Sequence, residues 1–439
     1  MNSDSRNSNW LKRQIGDFCA VGDGAHASIK RYEQGIMYLT SKNFKSGGLD
    51  LSKIDYISES DYAKYFKKDA KALTKPEAGD VLFSIIGTIG EPYLFQSQDC
   101  FGLSSSVSIL RPDKSIIFPK YLFYWIQGHI FQNALYSIKG GVAQSYVSLE
   151  MIKSLPLICP PIPTQQKITD ILSAYDDLIE NNAKRIKTLE EMARMLYREW
   201  FINFRFPNHE NVKMVESDLG LIPEGWEVVE LIKLIDVKHG YAFKGEYFSK
   251  EPTYDILLTP TNFAIGGGFK DDKFKYYLGE VPNDYILKPN DLLVTMTDLS
   301  KLGDTLGYPA LIPDSKTHRF LHNQRLGKII IHNTKLIGKN LLYYIFRSDL
   351  YRHHVLASAT GSTVKHTAPD RIKSFKIVLP STAIRQNFEN ITDLQLNQIE
   401  ILKRKNINLR KTRDLLLPKL ISGEIDVEKL DIETLEIAA

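Results

Sequence analysis

The chain repeats itself. The stretch from Gly141 to Trp200 recurs 220 residues downstream without a gap. Gly141 falls on Gly361, Ile152-Lys153-Ser154 on Ile372-Lys373-Ser374, Pro160 on Pro380, Gln166 on Gln386, and Ile179-Glu180 on Ile399-Glu400. Upstream the echo is looser. Leu39-Thr40 with Asn43-Phe44 matches Leu258-Thr259 with Asn262-Phe263, and Asp80-Val-Leu-Phe-Ser84 resembles Asp291-Leu-Leu-Val-Thr295. A period this long is a whole domain and not a solenoid unit, so the chain should hold two copies of one architecture. A duplication without functional meaning is the simpler reading. The halves, however, differ most in their fronts, where a reading surface would sit.

Each half has a mixed front and a helical back. The fronts, roughly 10–160 and 223–380, are short apolar runs broken by turn signals. Gly79–Ile86, Asn290–Thr295, Ser106–Leu110 and Lys328–Ile331 read as strands. Tyr121–Phe131 and Leu341–Tyr351 read as short helices. The backs, Thr164–Trp200 and Ser381–Leu417, contain neither Gly nor Pro. Each could run about 55 Å as one helix at 1.5 Å per residue. Pro163-Thr164 and Pro380-Ser381 offer a breaker and an N-cap. A near-3.5 repeat runs through Ile168, Ile171, Tyr175, Leu178, Asn182, Ile186, Leu189, Ala193, Leu196 and Trp200. In the second back it runs through Phe388, Ile391, Leu394, Gln398, Leu402, Lys405, Leu409 and Leu416. Two such helices in one chain can pair as a coiled coil. The expected fold is α+β with a pseudo-two-fold internal repeat.

Searching for chemistry mostly excludes it. There is no P-loop, no GxGxxG after a strand, and no HExxH, GxSxG or EF-hand pattern. Asp271-Asp272-Lys273 fits the loose acidic-x-Lys of metal nucleases but sits in a Gly-rich polar stretch without a supporting carboxylate. His353-His354 and His318/His322 lack acidic or Cys partners and are expected at the surface or facing a ligand. Cys19, Cys100 and Cys159 are far apart and unpaired in sequence, which argues against zinc or a disulfide framework and for a reducing cytoplasm. No apolar run approaches a membrane span, and the polar start of the chain is not a signal peptide. Net charge is +4, which permits nucleic-acid binding without demanding it. The basic run Lys403, Arg404, Lys405, Arg410, Lys411 and Arg413 reads as a solvated helix face.

What remains is a binding protein with two similar heads. Base edges are read by Arg, Lys, Asn, Gln, Ser and Thr, while backbone amides and cations hold phosphates. The first head offers Thr88 within Gly87–Gly90, and Lys139, Gly140, Gly141, Gln144 and Ser145 within Lys139–Tyr146. The second offers Asn323, Gln324 and Arg325, and Gly361, Ser362, Thr363, Lys365 and His366 within Thr360–His366.

Several phrases stand out: Leu157-Ile-Cys-Pro-Pro-Ile-Pro-Thr-Gln165-Gln166-Lys-Ile168, Asp176-Asp177-Leu178-Ile179-Glu180-Asn181 with Leu189-Glu190, Trp200-Phe-Ile-Asn-Phe-Arg-Phe-Pro207, Gly220-Leu-Ile-Pro-Glu-Gly-Trp226 and Leu417-Pro-Lys-Leu-Ile-Ser-Gly-Glu-Ile425. Together they resemble the specificity subunits of type I restriction–modification systems over nearly the full length. The resemblance implies two target-recognition domains, 1–163 and 223–380, and two spacer helices, 164–204 and 381–423, pairing as an antiparallel coiled coil. A linker at 205–222 and a tail at 424–439 complete the layout. It also implies one half of a split, asymmetric site on double-stranded DNA per domain. The helices would set the spacing and dock two modification (methyltransferase) subunits through candidates Ile171, Leu178, Leu189, Leu196, Ile391, Leu402, Leu409 and Leu416. By the same resemblance this chain binds no cofactor. S-adenosylmethionine belongs to the modification subunits, and ATP and Mg2+ to restriction subunits that join them. The first domain departs in offering only Asn9-Trp10 where the second has Pro223-Glu-Gly-Trp226, and the second junction has Ser381 and Ala383 for Pro161 and Pro163. A stand-alone DNA methyltransferase or nuclease with an unrecognised site, and a protein–protein scaffold, are the competing readings.

Overall fold

A computed structural model describes residues 10–68, 71–87, 89–139 and 146–429. The chain forms two compact units. One takes the chain up to Asn181 and again from Lys405, and the other takes Asn182–Arg404. The units therefore cut across the sequence repeat. Each holds one front and one half of each of two long helices, α1 (Ile162–Tyr197) and α2 (Thr382–Ile421).

In the first unit an antiparallel sheet runs in the order Cys19–Asp23, Val107–Pro112, Val81–Ser84, Pro92–Leu94. Its central strands are buried on both faces, which is why they read as unbroken apolar runs. The pleat sorts them by alternation. Val81, Phe83 and Leu110 join a helical cluster with Tyr121, Leu122 and Trp125. Leu82 and Ile109 join a second cluster with Leu39, Phe101 and Leu103. Leu39 and Leu103 belong to a smaller sheet, in which Ile36–Leu39 and Phe101–Leu103 run parallel. A ribbon of Leu11–Gln14 with Pro156–Cys159 ties the start of the front to its end.

The second unit repeats this plan. Its sheet order is Ile235–His239, Leu326–Ile331, Leu292–Thr295, Pro309–Leu311. Glu227–Glu230 pairs with Lys376–Leu379, and Asp255–Leu257 runs parallel to Arg319–Leu321. The Asn echo seen in sequence has a structural cause. Asn43 accepts from Thr40 N–H at 3.0 Å and donates to the Asp50 and Lys53 carbonyls. Asn262 does the same with Thr259 N–H, Lys270 O and Lys273 O. Each Asn pins a turn and a long excursion with one buried side chain, a three-way role that no apolar residue could fill. The carbonyl of Lys273 thereby serves the turn, and Asp271 and Asp272 are exposed.

The expected short helices are each two helices. Pro119–Gln127 ends at Gly128 and is followed by His129–Lys139. Lys339–Ile345 is followed by Asp349–Ala357, whose Ser348 cap accepts from Tyr351 N–H. The interval 205–222 also carries more than a linker, since Met214–Ser217 pairs with Gly220–Pro223 as a hairpin.

The helix α1 begins at Ile162, two residues before the expected Thr164, because a proline in the first turn gives up only an N–H that has no partner there. A π-turn, Arg198–Ile202, carries it on to the Trp200 cluster. Gln165 is fully buried and latches α1 to its front. Its Oε1 accepts from Phe118 N–H at 2.8 Å and its Nε2 donates to the Ile116 and Pro160 carbonyls. At the corresponding junction Arg385 donates to the Pro380 carbonyl at 2.7 Å.

Within the first unit the helices run antiparallel, since partners fall along α2 and its extension as they rise along α1. Thr164 donates to Glu428 at 2.9 Å, Arg413 to Asp176 at 2.5 Å, and Asn406 to the Ile179 carbonyl at 3.2 Å. Tyr124 donates to the other oxygen of Asp176, joining front to helix pair. Within the second unit Phe388 of α2 packs edge-on against Phe201, with Tyr197 and Trp200 beside it.

Burial corrects the phase of the seam. On α1 the buried or half-buried line is Ile168, Leu172, Tyr175, Ile179, Asn182, Ile186, Leu189, Ala193, Leu196 and Trp200. On α2 it is Phe388, Thr392, Gln395, Ile399, Leu402, Asn406, Leu409, Arg413, Leu416 and Leu420. Leu178 and Leu394, expected in the seam, are 44% and 74% exposed, and Lys405 is exposed. Ile171 and Ile391 flank the seam against the core of their own unit. On α2, Thr392, Asn406 and Arg413 take seam positions through hydrogen bonds, so a search for apolar residues steps past them. On α1 the expected Ile171 and Leu178 stand one residue before Leu172 and Ile179, and apolar spacing alone does not choose between such neighbours. The rest of the basic run, Lys403 to Lys411, is exposed.

Candidate nucleic-acid interface

In each unit, loops from both sheets meet at one end around a single tight turn. In the second unit that turn is Asn323-Gln324-Arg325, between strands Arg319–Leu321 and Leu326–Ile331. Backbone bonds bring the neighbours to it. Gln324 N–H donates to the Tyr241 carbonyl at 3.0 Å, Tyr241 N–H to His322 O at 2.8 Å, and Met296 N–H to Arg325 O at 2.8 Å. Thr367 N–H in turn donates to Met296 O at 3.0 Å, which brings in the Thr360–His366 loop.

The first unit carries the same network around Ser104-Ser105-Ser106. Ser105 N–H donates to Ala25 O at 3.2 Å, Ala25 N–H to Leu103 O at 2.8 Å, and Ile85 N–H to Ser106 O at 2.9 Å. Val147 N–H reaches Ile85 O at 3.4 Å. Bond for bond, Ser104, Ser105 and Ser106 stand where Asn323, Gln324 and Arg325 stand. Sequence reasoning missed this turn because three serines beside a strand carry no charge or glycine signal. The signal that would have found it is the 219-residue shift relating Leu39 to Leu258, which also carries Ser104 onto Asn323.

A close backbone approach holds both turns. A Cβ on Gly24 would stand 2.2 Å from the Leu103 carbonyl oxygen, and one on Gly240 would stand 2.1 Å from that of Asn323. Only glycine lets the neighbouring strand end lie this near the turn.

The side chains differ. Ser104 and Ser106 hydroxyls are 2.5 Å apart, and Ser106 Oγ also accepts from Ser41 N–H at 2.9 Å. Asn323 Oδ1 accepts from Arg325 N–H at 2.9 Å, while the Gln324 and Arg325 side chains are exposed. Arg and Gln are the side chains that meet guanine and adenine edges through two hydrogen bonds each. His322, expected at a surface, is fully buried beneath the turn. Its Nε2 lies 2.9 Å from the Leu326 carbonyl and so carries the proton, leaving Nδ1 without a partner. Burial pushes its pKa down to about 4. In the first unit Leu103 holds that position. There Asp23 contacts His26 at 2.7 Å at the rim; burial raises the Asp23 carboxyl and His26 opposes the rise.

The remaining sequence candidates fall as follows. Gly361, Ser362, Thr363 and His366 are exposed and Lys365 is half-buried on the second rim. The loop closes where Thr360 pairs with His366, and His366 Nδ1 lies 3.2 Å from Thr297 Oγ1. Thr88, Gly140, Gly141, Gln144 and Ser145 lie outside the described residues. Lys139 ends its helix, and the chain re-enters at Tyr146, which bridges to Ile86 beside the first turn. His354 Nε2 lies 2.8 Å from the Arg371 carbonyl. Among the described residues no group of three His, Cys, Asp or Glu could hold a metal ion, and no helix is long and apolar enough to cross a membrane.

Comparison with known proteins gives one family. The model described as the type I restriction modification DNA specificity domain matches residues 7–191 and again 223–411. The type I restriction enzyme MjaIX specificity subunit of Methanocaldococcus jannaschii is 27% identical over 96% of this chain and 94% of that protein. The MjaVIII specificity subunit of the same organism is 24% identical over 96% and 94%. In fold, the chain is similar to the crystal structure of the type I restriction–modification S subunit from M. genitalium, with a TM-score of 0.52, covering 96% of this chain and 98% of that one at 14% identity.

Proposed function

Because this chain belongs to the family of type I restriction modification DNA specificity domains, and carries that domain twice, we propose that it reads a split, asymmetric site on double-stranded DNA, one half-site per unit. The observation that carries this reading is the shared backbone network around two turns with unlike side chains. A common frame presenting Ser-Ser-Ser in one unit and Asn-Gln-Arg in the other suits two independent readings. Within each unit the front is the target-recognition domain. The paired helices act as the spacer and dock two modification subunits, which bring S-adenosylmethionine and methylate adenine. Restriction subunits using ATP and Mg2+ join that complex in the cytoplasm. This chain supplies recognition and its partners supply the chemistry.

The test is genome-wide adenine methylation in a host lacking other methylases, expressing this chain with its modification subunit. A split motif that appears only when this chain is present supports the reading. Soluble, co-purified partners that leave no methylated motif would overturn it.

A further inference from the structure

The segment after the second inner strand is longer than its counterpart. It spans Met296–Tyr308, thirteen residues, against seven for Ile85–Glu91. The extra length carries Leu299 and Leu302, which are 58% and 79% exposed, with exposed Lys301 between them. Single exposed leucines are ordinary. This pair is distinguished by how stiffly it is presented. Asp298, 5% exposed, accepts from Ser300 N–H at 2.6 Å, from Thr305 Oγ1 at 2.7 Å and from Thr305 N–H. Burial alone would raise that carboxyl, yet the hydrogen bonds hold its pKa below the usual value, so it stays ionised. Arg352 donates to the Gly303 and Leu306 carbonyls from below, and Leu306 is fully buried as an anchor. The base of the loop, Thr297-Asp298, pairs with Lys365-His366. The loop is therefore braced along its length by hydrogen bonds, presents two leucines and Lys301 to solvent, and leaves the sheet beside Arg325, whose carbonyl accepts from Met296 N–H.

We propose that Leu299 and Leu302 form a wedge that enters the base stack of the duplex read by the second unit. This rests on the DNA-reading proposal and adds a mode of recognition to it. Apolar side chains driven between base steps unstack them and kink the duplex. A wedge already fixed by Asp298 and Arg352 loses little conformational entropy on entry. Lys301, between the two leucines, brings charge for the phosphates. The step that opens most cheaply is pyrimidine–purine, TA or CA/TG. The second half-site thus acquires a preference at a position that no hydrogen bond reads, and the first, with its shorter loop, does not.

The experiment uses the complex of this chain with its modification subunits, on duplexes carrying its methylated motif. 2-Aminopurine is stepped through and beside the second half-site, omitting the methylated adenine, which unstacks by base flipping. The wild-type complex should brighten the probe at one step. The L299A/L302A double variant should lose that signal and bind about tenfold more weakly, while binding is restored on a duplex carrying a mismatch at that step. A flat scan with wild type, or a signal that survives in the double variant, overturns the wedge. Loss of the modification subunits from the double variant overturns it in favour of a protein contact. If the wild-type complex binds no duplex at all, the DNA-reading proposal fails instead.

Discussion

The two turns, Ser104–Ser106 and Asn323–Arg325, share the backbone hydrogen bonds that tie them to the neighbouring strand ends and almost nothing in their side chains. In the first, the hydroxyls are engaged with one another and with Ser41 N–H. In the second, Asn323 alone braces the turn, and Gln324 and Arg325 are exposed. Position is fixed by main chain and identity by side chain, so the exposed residues can differ without disturbing the frame. On the proposed reading, one architecture then serves two half-sites of unrelated sequence.

Substituting the shared glycines should break both turns alike. Gly24→Ala and Gly240→Ala each place a methyl against backbone that has no freedom to swing aside, at a cost of about 3 kcal/mol or more. Denaturant unfolding should register the loss in either variant, with methylation fading at both half-sites. A mild effect in one unit only would show that the frames are not equivalent.

Substituting the readers should separate the turns. Arg325→Ala is expected to relax base choice at one position of the second half-site by about 1–3 kcal/mol. Methylome sequencing should then show degeneracy there and an unchanged first half-site. Degeneracy in the first half-site would sink the assignment of one turn to one half-site.

Acid should also act through His322, for which the first unit has Leu103. His322 has its folded pKa depressed to about 4, from about 6.5 when unfolded. A depressed pKa means that the unfolded chain takes up the proton first, so stability present above about pH 6.5 is lost as pH falls towards 4. The loss should reach about 2 kcal/mol by pH 5. Urea titrations at pH 7 and pH 5 should reveal it, and His322→Gln, which keeps a donor for Leu326 O, should flatten the slope. An equal slope in that variant would place the acid sensitivity elsewhere. Ser106→Ala closes the series, with an expected cost below about 1 kcal/mol in half-site affinity by competition binding.

Much of this architecture was legible as repetition. The 220-residue shift exposed two fronts and two long helices, and the Asn43/Asn262 echo marked a turn that both fronts need. Position along the helices was harder to read. On α2 the seam residues Asn406, Thr392 and Arg413 look polar in sequence and their hydrogen bonds leave no apolar pattern, so the spacing selects Leu394 instead. On α1 the neighbours Leu178 and Ile179 are both apolar and the spacing does not separate them. The second turn was visible through Asn323, Gln324 and Arg325 because those residue types carry recognition chemistry. The first was not, since the serines matter by position. The leucine-bearing loop was hidden for another reason. Part of its stiffness comes from Arg352, which lies more than forty residues away and whose bonds to Gly303 O and Leu306 O leave no local pattern.

The division of each long helix between the two units bears on how the protein is made. The second unit is one uninterrupted segment, Asn182–Arg404, whereas the first needs both ends of the chain. On the ribosome the order of completion is thereby reversed. The unit begun first has to wait for Leu417, Leu420 and Ile421, which share its core with Ile168 and Leu172. At about 5–20 residues per second, that wait is on the order of ten seconds or more. During it the N-terminal front presents an unfilled apolar face to solvent, so a nascent chain stalled near Arg404 should be the form most in need of a chaperone.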